Sequence, residues 1–258
     1  MNIFEHNSRA WDKYSEMGIE WSLPVSAEEI ARARGGDWEI VLTPIKKVPR
    51  EWFGDVRGKR VLCLASGGGQ QAPILAAAGA QVTSLDASEK QLEKDAFVAT
   101  RENLEIRIER GDAADLSRFT DASFDLIFIH CSSCFMADLE PIWRECFRVL
   151  RPGGALLTGF NNPLIYIFDT EAEEKERVLK LRHKLPYSDE KDLSEAQKRE
   201  RIEKGEPFEF SHSLDAQIGG QIAAGFLIAG FYEDWWHDEA RLLNNYTPTF
   251  IATRAIKP

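Results

Sequence analysis

Val61-Leu-Cys-Leu-Ala-Ser-Gly-Gly-Gly-Gln-Gln71 is an apolar run that breaks into three glycines and then becomes a helical pattern. A short continuous apolar run is how a strand buried on both faces reads, and glycines directly after it let the backbone turn tightly and approach a ligand with no Cβ in the way. The next apolar run, Ala80-Gln-Val-Thr-Ser-Leu-Asp86, ends in a carboxylate. An acid about 20 residues beyond such a loop is placed to take both hydroxyls of a ribose. The two features together point to a crevice for an adenosine derivative. Taken singly, Gly67-Gly-Gly69 also reads as an ordinary strand-to-helix turn, and Asp86 as a helix N-cap.

Working outward, strands are expected at 60–65, 81–85, 104–109, 124–129 and 154–160, each short and rich in Val, Ile, Leu or Phe, with helices between them. Ser88-Glu-Lys-Gln91 is a capping box that starts a helix running to about Glu102. Ile142, Cys146, Val149 and Leu150 give a second helix one apolar face, and Pro152-Gly-Gly154 is expected to stop it before the next strand. Strands joined through helices build a parallel sheet. The tail departs from that rule, because 226–236 and 247–256 read as two strands with only a loop between them and should pair antiparallel.

Val61-Leu-Cys-Leu-Ala-Ser-Gly-Gly-Gly69, Leu85-Asp86, Gly111-Asp-Ala-Ala-Asp-Leu116, Phe124-Asp-Leu-Ile-Phe-Ile129 and Arg148-Val-Leu-Arg-Pro-Gly-Gly154 together resemble the ordered motifs of class I S-adenosylmethionine-dependent methyltransferases. The resemblance implies an α/β, Rossmann-like, seven-stranded, mostly parallel sheet of order 3-2-1-4-5-7-6 with strand 7 antiparallel. It implies S-adenosylmethionine as cofactor and S-adenosylhomocysteine as product. The loop Ala65, Ser66, Gly67, Gly68 and Gly69 would receive the methionine part, Asp86 and Ala87 the ribose, and Asp112 with Ala113 the adenine, which Gln91 would flank; His130 would border the cofactor. Asp112 alone is equally a turn residue, and Asp125 is expected to anchor nearby backbone amides. Cys63 stands where the family usually has an acid in strand 1. Ala65 stands where it usually has the first glycine, which requires only a backbone that tolerates a Cβ, as a negative φ does.

The resemblance implies in-line attack of a nucleophile on a sulfonium methyl, for which the protein supplies positioning and a dry pocket. His130 closes strand 4 at the sheet's carboxyl edge and is the candidate general base, since an imidazole titrates near neutrality. Asn161, Asn162 and Cys131 lie at the same edge and are candidate acceptor contacts, although the asparagines also read as turn residues. The chain divides into an N-terminal cap at 1–59, the core at 60–160, an inserted lid or cover at 161–212 and a C-terminal part of the core sheet at 213–258. Trp11, Trp21, Trp38 and Trp52, four of seven tryptophans, fall in the cap, where with Tyr14 they are expected to close an aromatic pocket or to pack a small subdomain. Ser194-Glu-Ala-Gln197 is a capping box opening a charged helix that Gly205 can end.

A formal charge of −10 argues against a nucleic-acid partner, and no apolar stretch approaches a membrane span. Cys63 and Cys146 read as packed small hydrophobes. Cys131-Ser-Ser-Cys134 lacks a second pair at metal spacing, so no metal is expected. These features suggest a cytoplasmic monomer or homodimer acting on a small-molecule acceptor. Two alternatives remain at this level. Gly67-x-Gly69-x-x-Ala72 also fits a NAD(P)-dependent oxidoreductase, and the same fold can serve a non-catalytic adenosyl-cofactor-binding protein.

Overall fold

The computed structural model describes residues 2–237 and 241–258. The elements in chain order are α1 (Ile3–Met17), α2 (Ala27–Arg34), α3 (Arg50–Phe53), β1 (Arg60–Leu64), α4 (Gln71–Ala77), β2 (Gln81–Asp86), α5 (Glu89–Glu102), β3 (Ile106–Arg110) and β4 (Phe124–Ile129). They continue with α6 (Glu140–Val149), β5 (Leu150–Asn161), α7 (Thr170–Glu176), α8 (Asp189–Asp192), α9 (Glu195–Lys204), α10 (Gly220–Ala223), β6 (Leu227–Asp234) and β7 (Phe250–Ile256). The sheet order is β3-β2-β1-β4-β5-β7-β6, and β7 runs antiparallel to both of its neighbours. The expected topology and terminal hairpin are therefore present. No helix among the described residues is long and apolar enough to cross a membrane.

The central strands are buried on both faces, and their alternation sorts the core in two. Val61, Cys63, Leu126, Phe128 and Leu157 point to a layer that includes Trp38, Leu42, Trp52 and Phe53. Leu62, Leu64, Ile127, Ile129 and Leu156 point to the opposite layer, with Ile142, Trp143, Cys146 and Val149 of α6. Side chains that alternate along a strand give one helical or loop layer to each face, so the continuous apolar run of β1 is satisfied only in a covered sheet. The first layer lies against the sheet itself. A Cβ at Gly159 would sit 1.7 Å from the Leu42 carbonyl oxygen, so the backbone around Leu42 crosses β5 where only a glycine admits it.

Some local expectations shift. Pro152-Gly-Gly154 does not precede β5 but lies inside it: α6 ends at Val149, Leu150 already pairs with Phe124, and the register slips before Leu126 meets Ala155. The Ser88 box is half made, since Ser88 Oγ accepts from Gln91 N while Gln91 gives nothing back. The Ser194 box is complete and Gly205 ends α9 at φ 64. Asp125 anchors structure, accepting from Arg60 N at 2.7 Å and pairing with Arg60 and Arg151.

Candidate active site

A cavity of about 560 Å³ lies at the carboxyl ends of β1, β2, β4 and β5. Its floor is the loop after β1. Ala65 there has φ 48, so the negative φ expected of it is wrong: an alanine holds a left-handed conformation, anchored by Ala65 N donating to Leu85 O at 2.7 Å. Cys131, in the loop after β4, has φ 39. Both residues line the cavity, and such backbone costs of order 1–3 kcal/mol each and concentrates where function over-determines it.

Gly67 N donates to Asp86 Oδ2 at 3.0 Å, and Ser88 N to Asp86 Oδ1 at 2.9 Å. These bonds aim the Asp86 carboxylate at the loop, while burial pushes its pKa up despite the amides that favour its charge. A Cβ at Gly67 would lie 2.9 Å from Gln91 Cβ, so the loop presses against α5. Ala65, Ser66, Gly67, Asp86, Ala87, Gln91, Asp112, Ala113 and His130 all line the cavity. Gly68 and Gly69 do not. They hold the N-terminal segment: a Cβ at Gly68 would meet Trp21 O at 2.6 Å, and Gly69 O accepts from Val25 N at 2.8 Å. Within the loop, Ala65, Ser66 and Gly67 therefore border the cavity directly. Asp112 makes the turn it was equally expected to make, accepting from Ala114 N at 2.9 Å, and still borders the cavity.

Two supports escaped the sequence reading. Asp95, fully buried in α5, accepts from Gly69 N at 2.7 Å and from Ser84 Oγ at 2.6 Å, and burial pushes its pKa up to about 7. Its position four residues beyond Gln91 on one helix face was the available signal. Asp12 of α1 accepts from Ser88 Oγ at 2.7 Å and from Lys90 N at 3.1 Å. A carboxylate from 76 residues upstream thus does at the α5 N-terminus what the missing half of the capping box would have done. Nothing local in the sequence predicts it.

The opposite wall is assembled from distant segments. Trp11, Tyr14 and Trp21 line it as expected, whereas Trp38 and Trp52 pack instead into the layer under the sheet, against Phe53 and Tyr232. His130 rests 5.7 Å, ring to ring, from Trp21. Its Nε2 is buried with no hydrogen-bond partner among the described residues, and burial lowers its pKa to about 4. The imidazole is therefore neutral at pH 7. Cys131 donates its thiol to Leu42 O at 3.1 Å and Cys134 to Cys131 O at 3.4 Å; burial raises both pKa values, and neither is a ready nucleophile. Asn161 lines the cavity and donates to Tyr166 OH at 3.0 Å. Asn162 does not line it: its side chain donates to Pro248 O and accepts from Leu164 N, shaping the turn after β5.

The floor fits an adenosyl cofactor on its own chemistry. A pinned carboxylate, a loop where a Cβ would collide, and a buried Gln91 Oε1 with no partner among the described residues form one continuous wall. Asp86 would hold the ribose hydroxyls, Asp112 with Ala113 and Gln91 the adenine, and Ala65 to Gly67 the amino-acid end. When bound, the sulfonium supplies an already activated methyl group.

Comparison with known proteins agrees with this arrangement. Residues 62–158 match the family model described as a methyltransferase domain. The chain is 48% identical to the uncharacterized methyltransferase YbaJ of Bacillus subtilis over 99% of its own length and 98% of that protein's. It is 24% identical to the ubiquinone biosynthesis O-methyltransferase of Bordetella avium over 61% of this chain and 63% of that one. In fold it is similar to the crystal structure of an S-adenosylmethionine-dependent methyltransferase from Mesorhizobium loti, with a TM-score of 0.60 at 21% identity over 80% of this chain and 94% of that one. A glycine loop that also fits dinucleotides therefore serves another cofactor here, and the chain belongs to the class I S-adenosylmethionine-dependent methyltransferases.

Proposed function

We propose that this methyltransferase acts on a small organic molecule that enters the cavity beyond the adenosyl floor, and that transfer is in line. The observation that carries this reading is the enclosure itself. The 560 Å³ cavity is bordered by α1 and the following segment through Trp11, Tyr14 and Trp21, by Ile165, Pro207 and Glu209 of the insertion, and by Trp236 and Phe250 of the terminal strands. A cavity of that size, bordered by three separate segments, suits a cofactor and a small acceptor together. The formal charge of −10 opposes binding along a nucleic acid.

Positioning two reactants in a dry pocket supplies up to about 7–11 kcal/mol of the barrier reduction, which is the main work left to the protein when the methyl is already activated. His130, kept neutral by burial, orients the acceptor rather than removing a proton from an unreactive alcohol. The part of the N-terminal segment that lines the cavity, from Phe4 to Trp21, and residues 161–212 act as the cover that must part to admit the acceptor. Four unpaired thiols accord with action in the reducing cytoplasm.

The test is incubation with S-adenosylmethionine carrying a labelled methyl group, together with separate pools of small metabolites, total RNA and protein. Label in a small-molecule product supports the reading. Label confined to RNA or protein refutes it.

A further inference from the structure

Two charged groups on the cavity wall, Glu209 and Arg241, have no part in the adenosyl floor, and Arg241 is already paired with Glu173. Glu209 sits in the insertion and lines the cavity beside Tyr14 and Cys134. Its backbone is fixed on both sides: Glu209 N donates to Asp189 Oδ2 at 2.7 Å, Asp189 N to Glu209 O at 3.0 Å, and Phe210 N to Cys134 O at 2.7 Å. Its side chain is fixed through a relay in which Asn161 Nδ2 donates to Tyr166 OH at 3.0 Å and Tyr166 OH donates to Glu209 Oε2 at 2.9 Å. The other oxygen, Oε1, takes no hydrogen bond from any described residue. The carboxylate is thus held rigid by one oxygen and left open at the other.

Electrostatics define what suits it. Burial raises the Glu209 pKa and Asp189 adds to that, while the Tyr166 hydrogen bond and the more distant Arg201 and Arg241 lower it by less. Arg201 pairs with Asp189 at 3.4 Å and Arg241 with Glu173 at 3.0 Å. Although Arg241 borders the same cavity, it and Arg201 pair with other acids and neither pairs with Glu209, so a cation arriving in the cavity would be the first to pair directly with it. The adjoining wall is aromatic, with Trp11 packed edge-on to Tyr14 at 5.7 Å and to Phe135 at 5.0 Å. Aromatic faces next to a carboxylate favour a cationic group on an apolar body. His130 Nε2 and Ser132 Oγ, both buried and without partners among the described residues, line the same cavity and leave hydrogen-bonding capacity for a polar acceptor.

We propose that Glu209 selects a cationic, amine-bearing acceptor, receiving an ammonium N–H on Oε1 while the apolar body lies against Trp11, Tyr14 and Phe135. The proposal rests on the reading that a small-molecule acceptor uses this cavity. Within it, a neutral alcohol of the same shape loses the charge-assisted bond, and a carboxylate of the same shape meets Glu209 as a like charge.

The test is calorimetric titration of the full-length protein, first with S-adenosylhomocysteine and then, in its presence, with phenethylamine, 2-phenylethanol and phenylacetate. Phenethylamine is expected to bind at least about tenfold more tightly than 2-phenylethanol, which is ~1.4 kcal/mol, with phenylacetate weakest. Glu209→Gln should erase that preference and leave S-adenosylhomocysteine affinity within about twofold, since Glu209 is not part of the floor. Equal affinities for amine and alcohol, no measurable amine binding to the loaded protein, or a preference that survives Glu209→Gln would each overturn the proposal. The comparison of probes on the unmodified protein decides the matter even if the variant does not fold. Failure of S-adenosylhomocysteine itself to bind would instead refute the floor assignment, which keeps the two failures distinct.

Discussion

The floor and the cover of the cavity are built on different principles. The floor comes from short stretches at consecutive strand ends, 65–67, 86–91 and 111–113, and it binds largely through backbone geometry and one pinned carboxylate. The cover comes from α1, the insertion and the terminal strands, whose cavity-lining residues lie as far apart in sequence as Phe4 and Phe250. Gly68 and Gly69 are where the two meet, since they hold the segment around Trp21 to Val25 rather than line the cavity.

The sharpest way to separate the two roles inside the N-terminal segment is a pair of tryptophan truncations. Trp38→Ala empties a site in the sheet's core layer and should cost about 3–5 kcal/mol of stability, read as a lower urea midpoint. Trp11→Ala, at a half-buried position on the cavity wall, should cost much less stability and act instead on acceptor binding. Equal destabilisation by both would erase the distinction between cover and core.

The next effect belongs to the floor. Asp86→Ala should weaken S-adenosylhomocysteine binding by about 1.5–3 kcal/mol, because a charged partner for two hydroxyls is lost and two loop amides are left unpaired. Calorimetry reads it directly, and wild-type affinity in the variant would mean that the ribose lies elsewhere.

Asp95 gives the floor a dependence on pH. Its folded pKa, pushed up to about 7 from an ordinary 3.8, lies above its unfolded value. The stability it contributes is therefore fully present below about pH 4 and is lost as pH rises through about 7. Asp95→Asn keeps an acceptor for Gly69 N without the charge, so its stability relative to wild type should improve from about pH 4 to about pH 7 and level off above that. Denaturant titrations of both proteins across that range measure the difference, and a gap that does not move with pH contradicts the assignment.

The smallest effect tests the seam. Asp12→Ala removes the long-range cap on α5 and should cost about 0.5–2 kcal/mol, in the range of other N-cap losses. Hydrogen exchange should show the loss at residues 88–91, beside the floor, and an effect confined to α1 would count against coupling between the two regions.

By itself, the sequence determined what depends on local periodicity and spacing. A parallel sheet followed from strand–helix alternation, its terminal antiparallel pair from a spacing too close for a crossover, and an adenosine crevice from a glycine loop and an acid one strand later; the seven-strand order and the adenine contacts came from the motif resemblance. Those signals are legible because chirality, backbone sterics and strand burial act over a few residues. Conformation at Ala65, the pairing of Asp95 with Gly69, the cap from Asp12, the division of the tryptophans and the relay from Asn161 through Tyr166 to Glu209 were decided only in three dimensions. Each is a contact between groups that the chain brings together only on folding, and its energy arises from burial and desolvation that a linear pattern does not carry.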